Sequence, residues 1–404
     1  MSTSHHTKTG SIPVEPDKDG ALIRLLSITF AVFVGFLTIG LSLPVLPLHV
    51  HGTLGMDDLM VGIVAGCQPV AALISRVAAG KMADTRDAKR AMIVGFFFAT
   101  ASGIVYFASG LITHQPRESV AVLLLGRLLL GCAESFMVTG ALSWAVGIVG
   151  PQRAGKAMVW IGIAMYGAYA AGAPVGVSIY ANYGFAGVAV ATALIPMLAL
   201  FIVRFVRATK PSGMPRVPFY KVLGAVWVAG LGLLFSSIGF STITAFAALL
   251  FSVRGWGSAS LVFSAFGVAF IAARVLFGSL PDRIGGAKVA LVCVVIEAAG
   301  QFLMWRADAP TLAYVGAMLT GFGYSLAFPG FGVEAVRRVA PQSRGVAMGA
   351  YVAFLDIALG IAGPGAGIVS KHFGVNAIYL VGSVAVAFAV VVAVKLLASP
   401  PRTA

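Results

Sequence analysis

Charge is scarce in this sequence. Asp, Glu, Lys and Arg together make up 10% of the 404 residues, against about a quarter in an ordinary soluble domain. Acids are the rarest of all, with 14 Asp and Glu against 28 Lys and Arg. A chain that is 59% hydrophobic, with a mean hydropathy of +0.95, is not expected to be a soluble globular protein. Cysteine is nearly missing too: Cys67, Cys132 and Cys293 lie inside apolar runs. They read as small packing residues, and no disulfide framework is implied. There is no metal-ligand cluster, no glycine-rich phosphate loop between a strand and a helix, and no nucleophile–base pair close in sequence. The expectation is a protein that is not an enzyme and that uses no cofactor and no metal. His5 and His6 form an isolated pair in a polar stretch, too little for a metal site.

What is present is a series of long apolar runs between Leu22 and Leu397. About twenty such residues are needed to cross ~30 Å of hydrocarbon. Twelve spans are expected, at 22–47, 58–79, 91–112, 120–144, 157–180, 185–206, 221–251, 258–279, 288–306, 311–335, 346–369 and 376–398. The fold class is therefore an all-α integral membrane protein. The net charge of +14 would point to nucleic acid in a soluble protein, but its placement gives it another meaning. With the N-terminus inside, the outer loops hold only Arg117, Arg254, Arg306 and Lys371. The inner ends and loops collect Lys81, Arg86, Lys89, Arg90, Arg204, Arg207, Lys210, Arg216, Arg337, Arg338 and Arg344 among others. This asymmetry places both termini in the cytoplasm and assigns the basic charge to topology. Residues 1–20 are polar, with Ser, Thr, His and Pro, and read as a disordered cytoplasmic tail.

An internal repeat organises the spans. Gly80-Lys81-Met82-Ala83-Asp84-Thr85-Arg86 is echoed 198 residues later by Gly278-Ser279-Leu280-Pro281-Asp282-Arg283-Ile284, and Arg76 by Arg274 at the same offset. Further on the offset is 190. Gly126, Gly131, Ser135 and Gly140 align with Gly316, Gly321, Ser325 and Gly330, and Pro174 aligns with Pro364. The longer connection around Thr113–Ser119 accounts for the difference. Two bundles are expected, at 21–206 and 221–398, joined by a Pro-rich basic linker at 207–220 and followed by a short tail at 399–404. Two parallel six-span repeats related by an axis along the membrane normal are an arrangement of secondary transporters.

On these residues the chain resembles the major facilitator superfamily over nearly its whole length. The hairpin between the second and third spans, with its second copy, is the most specific mark. The first copy departs from the usual pattern at Met82 and at Asp87, where Gly is usual. Arg127-x-x-x-Gly131 is similar to the family's second motif. Gly172-Ala173-Pro174-Val175-Gly176 resembles its third, which is commoner in antiporters than in symporters. The pattern looks most like the bacterial YhhS/YfcJ-type branch. The resemblance implies two pseudo-symmetric six-helix bundles that rock about a central cavity in the bacterial inner membrane, in a carrier expected to be monomeric. It also implies a conformational latch at the hairpins, comprising Gly80, Asp84, Arg86, Gly278, Asp282 and Arg283. Glu334 is a candidate partner of Arg283 or Arg274 there, although its first-half counterpart is Trp144. The bland alternative is a solvated loop.

Charges deep in the spans are expensive to bury, which makes the few present informative. Arg127 and Glu134 lie seven residues apart on the fourth span, on one face and ~10 Å apart along the axis. Their counterparts are Ala317 and Tyr324, so the charge is not duplicated. Glu134 is the first candidate to load and release a proton as access alternates, and Asp356 in the eleventh span is the second. Arg127 would hold an anionic group or tune the carboxylate, or else both belong to a packing pair. Glu297, in the ninth span, reads as a local structural pair. Ser42, Pro44 and Pro47 are expected to break the outer end of the first span. Gln68, Tyr166, Tyr169, Ser241, Thr242, Thr244 and Tyr324 are placed near a midplane site. Gly172, Pro174, Gly176, Gly363 and Pro364 are hinge candidates. The reading is a proton-coupled carrier of a small molecule, leaning to efflux by antiport. Uptake of a sugar or small organic anion is one alternative, and a transporter-derived sensor is another. The expected partners are substrate, protons and lipid, with no nucleic acid.

Overall fold

A computed structural model describes residues 18–149, 154–208, 219–257, 259–339 and 344–399. Most of the expected N-terminal tail, with His5 and His6, lies outside the described residues. So do the centre of the linker and the last residues of the chain. All regular structure among the described residues is helical: α1 (Lys18–Leu48), α2 (Asp58–Thr85), α3 (Ala88–Leu111), α4 (Pro116–Val149), α5 (Ala154–Phe205), α6 (Phe219–Arg254), α7 (Ser260–Phe277), α8 (Leu280–Ile284), α9 (Gly286–Arg306), α10 (Pro310–Arg337), α11 (Arg344–Phe373) and α12 (Val375–Ala398). Every one except the short α8 is long and apolar enough to cross a membrane. At 52 residues and ~1.5 Å per residue, α5 is far longer than the ~30 Å hydrocarbon layer. It turns back at Gly184, whose φ of 63° is left-handed and therefore suits glycine. Residues on either side form the fifth and sixth spans. Twelve crossings leave the first and last described residues on one face, called here the terminus face; the other is the far face.

Large apolar side chains point outward, among them Ile74 and Val77 on α2, which are 73% and 75% exposed. That pattern fits lipid rather than water. Small residues set the contacts inside each half. In the first half, α1 packs on α5 and α4 on α2 and α3; in the second, α9 packs on α10 and α12, and α7 on α10. The halves meet chiefly along two seams, α2 against α11 and α5 against α7, with α1 also touching α6.

The expected break at Ser42, Pro44 and Pro47 does not occur. The helix runs through both prolines to Leu48 and widens into a π-helical turn over His49–Thr53. Ser42 Oγ bonds back to the carbonyls of Thr38 and Ile39, 3.2 and 3.0 Å away. Neither proline ends the helix, and the wider turn follows both of them.

The repeated hairpins also fold differently. In the first copy α2 continues to Thr85, and Asp87, in extended backbone, caps α3 by accepting from Arg90 N–H at 2.8 Å. In the second, Pro281 stands where the first has Ala83. A proline there would clash with the Phe277 carbonyl in a continuous helix; α7 ends at Phe277, and α8 begins anew. The position of Asp87 is taken by Gly285, with φ of 102°, which has no side chain to cap with. Glu334 supplies the cap from α10, its Oε1 accepting from Ala287 N–H at 3.2 Å while Oε2 lies 3.6 Å from Arg338. This corrects the expected pairing of Glu334 with Arg283 or Arg274. The carboxylate at the start of α9 has moved from the hairpin to a neighbouring helix, where the first half holds Trp144.

Candidate functional site

A cavity opens between the halves, beside the far-face half of α2. The first half lines it with residues of α1, α2, α4 and α5: Ile39, Leu43, Leu46, Val64, Ala65, Gln68, Arg127, Glu134 and Tyr169. The second half adds Phe240, Ser241 and Thr244 from α6, and Leu359 from α11.

The polar wall is built by α4 lying close on α2. A Cβ on Gly131 would collide with the Gln68 carbonyl, so only glycine lets α4 approach this near. Arg127 and Glu134 flank Gly131 on the same face and therefore meet α2 at successive turns. Arg127 is 4% exposed. Its Nε donates to Val64 O at 2.9 Å and its Nη2 to Ala65 O at 3.2 Å. The second carbonyl is available for a sequence reason: Pro69, four residues on, has no N–H to bond it. Arg127 Nη1 has no hydrogen-bond partner, although Tyr106 and Cys67 lie within its electrostatic reach. One turn away, Gln68 Nε2 donates to Glu134 Oε2 at 2.8 Å, and Gln68 Oε1 is left without a partner.

The same proline device recurs. Pro329 frees the carbonyl of Ser325, and Arg274 Nη2 donates to it at 2.7 Å. Pro174 frees that of Ala170, which accepts from Ser264 Oγ of the opposite half at 2.9 Å. Pro364 frees that of Gly360, against which Gly66 of the opposite half is packed. The hinge candidates Gly172 and Gly176 pack on the backbone of Gly40 and Leu41 in α1, and Gly363 on Gly62 in α2.

Asp356 is not a wall residue of the cavity. It is clamped by Arg76 of the other half, accepting from Nε at 2.8 Å and from Nη2 at 2.9 Å. Both side chains lie in the α2–α11 seam, within electrostatic reach of Glu134. Sequence reasoning missed this pair. Arg76 was visible as the partner of Arg274 in the repeat, and Asp356 as a lone acid, but nothing in a single chain joins residues 280 positions apart.

Tyr166 and Tyr324 sit beside the cavity in a packed aromatic cluster. Tyr166 stacks on Phe270 with 3.7 Å between centroids, and Tyr324 stacks on Phe240 at 5.3 Å. Thr242 turns away from the cavity to bond Gln301 at 2.9 Å. Glu297 is fully buried between helices of its own half and accepts from Ser236 Oγ at 2.6 Å.

At the terminus face, Gly80 and Gly278 are half-buried. Asp84 is half-buried as well, while Arg86, Asp282 and Arg283 are exposed. At the far face the α2–α11 seam closes tightly. A Cβ on Gly62 would collide with the Gly363 carbonyl, and one on Gly66 would come within 2.6 Å of the Gly360 carbonyl. Above it, Asp57 pairs with Lys371 at 2.9 Å, and Ser370 donates to Asp58 at 2.5 Å. His51 lies 3.3 Å from the same Asp58.

Comparison with known proteins agrees with this architecture. The family model of the Major Facilitator Superfamily matches residues 28–259 and again 229–404. An uncharacterized MFS-type transporter of Salmonella typhimurium is 43% identical over 89% of this chain and 93% of its own length. The MFS-type transporter YhhS of Escherichia coli is 38% identical over 94% of each. Among solved structures, the nucleoside transporter NupG superposes with a TM-score of 0.73 at 15% identity, covering 93% of this chain and 99% of that one. The human organic anion transporter TETRAN gives 0.68 at 15%, covering 94% and 100%; at this identity both likenesses bear on the fold alone. Twelve helical crossings in two repeated halves, a cavity between them, and relatives matched nearly end to end agree: the chain belongs to the Major Facilitator Superfamily of membrane transporters.

Proposed function

We propose that this transporter couples its cargo to protons through Glu134 and drives efflux by antiport, in a bacterial cytoplasmic membrane with both termini cytoplasmic and the monomer as the working unit. The observation that carries the coupling role is the placement of Glu134. Its carboxyl lines the cavity between the halves, bonded to the neutral amide of Gln68. Asp356, the other deep acid of the α2–α11 region, is already held by Arg76. A carboxyl that faces the cavity and has no salt bridge can gain and lose its proton as access alternates. The antiport direction draws support from the resemblance of Gly172–Gly176 to a motif commoner in antiporters, and the topology from the distribution of Lys and Arg.

In this reading the far-face clasp of Asp57, Lys371, Asp58 and Ser370 and the glycine seam beneath it close the outer side. Rocking must part α2 from α11, and with them Arg76 from Asp356. The hairpins around Asp84 and Asp282, with Gly80, Arg86, Gly278 and Arg283, form the latch of the opposite state, and Gly172, Pro174, Gly176, Gly363 and Pro364 ease the bending.

The test uses proteoliposomes loaded with a pH-sensitive dye and challenged with small molecules of different charge class. A transported compound evokes proton movement in the wild type, and Glu134→Gln abolishes it. Proton movement that persists in Glu134→Gln removes Glu134 from the coupling step; none with any class removes proton coupling altogether.

A further inference from the structure

Two charges of opposite sign meet this cavity, and neither has an ion-pair partner. Arg127 lines the cavity and donates to the backbone carbonyls of Val64 and Ala65, with the neutral Tyr106 and Cys67 nearby and no carboxylate bonded to it. Glu134 is bonded only by Gln68 Nε2, and the remaining Gln68 oxygen is buried and unused as well. The contrast with Arg76 and Asp356 is direct, since those two neutralise each other through two hydrogen bonds in the adjoining seam. Burying a charge without its counter-charge is unfavourable by several kcal/mol. Groups left in that condition beside a cavity mark the chemistry of what fills it.

Each unpaired charge specifies a partner. The guanidinium, a fixed cation with planar donors, calls for a carboxylate or another oxyanion. Glu134 and the spare Gln68 oxygen accept hydrogen bonds and call for a donor, best a protonated amine. In the same cavity, Tyr169, Phe240 and Leu359 offer apolar and aromatic surface. We propose that the cavity binds small amphoteric molecules, carrying one anionic group, one protonated amine and an apolar body.

The consequence for coupling rests on the transport reading above. The amine end and the proton compete for Glu134, so that cargo and proton exclude one another, as exchange requires. A purely anionic cargo would bind best with the proton already on Glu134, and the two would travel together. The charged and titratable groups facing Glu134 are Arg76 on α2, Arg127 on its own helix, Tyr169 on α5 and Asp356 on α11.

The experiment is calorimetric titration of the full chain in detergent with two matched sets of probes. One set is L-phenylalanine, hydrocinnamate and phenethylamine; the other is L-leucine, 4-methylvalerate and isoamylamine. Within each set the body is held nearly constant while the charge changes. The zwitterion is expected to bind about tenfold or more tighter than either single-charge probe, a step of ~1.4 kcal/mol. Arg127→Gln should reduce the zwitterion to the level of the amine, and Glu134→Gln to that of the acid. The proposal is overturned if an acid or amine matches its zwitterion, if no probe binds, or if both variants leave the order unchanged. Should Arg127→Gln fail to fold, the wild-type ranking and Glu134→Gln decide by the same criteria. Binding needs no gradient, so the two readings fail separately. Zwitterion binding without proton movement in proteoliposomes sinks proton coupling and leaves this inference standing. Proton movement evoked only by the acids does the reverse.

Discussion

On the cavity wall formed by α4, positions 127 and 134 hold an arginine and a glutamate; at the corresponding positions of α10 stand Ala317 and Tyr324. The seams between the halves repeat the contrast. Arg76 of α2 clamps Asp356 of α11. In the pseudo-equivalent seam the arginine is Arg274, and the counterpart of Asp356 at the repeat offset is Tyr166. There the guanidinium lies over Phe270, 4.9 Å from the ring centroid, and donates to a backbone carbonyl. One helix geometry, inherited twice, thus carries ionic chemistry on one side and aromatic packing on the other. The scaffold constrains where a side chain points, and each copy is free in what it places there. Function that needs a single proton site needs only one copy to keep it.

Four measurements bear on that comparison, beginning with the largest effect. Glu134→Gln should abolish gradient-driven accumulation in proteoliposomes, whereas Tyr324→Phe at the counterpart position keeps most of it. Equal losses would make the two positions functionally alike.

The seams come second. Arg76→Ala leaves Asp356 buried without a partner and should destabilise the protein by ~3–5 kcal/mol. Arg274→Ala, which loses a bond to a carbonyl, costs about 1–3 kcal/mol. Thermal unfolding in detergent separates them, and Arg76→Ala combined with Asp356→Asn should recover part of the first loss. No recovery would mean that the ion pair is not the source of the cost.

The caps are third. Asp87→Ala and Glu334→Ala each remove the carboxylate at the start of a helix, one local and one borrowed from α10, and each should cost ~0.5–2 kcal/mol. Loss at only one of them would show that the substitution of one device for the other is incomplete.

The smallest effect concerns the far-face clasp. The hydrogen bond from Lys371, with help from Met60 N–H, holds the Asp57 carboxyl below its ordinary pKa. A carboxylate lowered in this way stabilises above the ordinary carboxylate range, and the gain is lost as pH falls through the lowered value. Unfolding midpoints scanned towards acid should therefore fall more steeply for the wild type than for Asp57→Asn. Parallel curves would remove the clasp from the account.

Much of the architecture was legible in the chain because its causes are local. Span length and the repeated hairpin each follow from a few neighbouring residues meeting lipid or water. The candidate wall was partly legible for the same reason, since Arg127 and Glu134 share one helix and their spacing alone puts them on one face. Glu334 was misread because its partner, the N–H of Ala287, belongs to another helix. The prolines were misread in one direction. Pro44 and Pro47 looked like breaks and are not, while Pro69, Pro174 and Pro329 act by freeing a carbonyl for a side chain elsewhere. Such a vacancy is visible in sequence, but its occupant is not.

The sequence by itself determined that this is a twelve-span membrane protein of two repeated halves, because hydrocarbon thickness and helical rise leave little choice for runs of this length and composition. Only the tertiary structure decided which charges are spent and which are spare. Asp356 and Glu134 are both deep acids; one is neutralised across the seam by Arg76, and the other is left facing the cavity. That distinction depends on how α2, α4 and α11 pack, through contacts of a few ångströms between residues far apart in the chain.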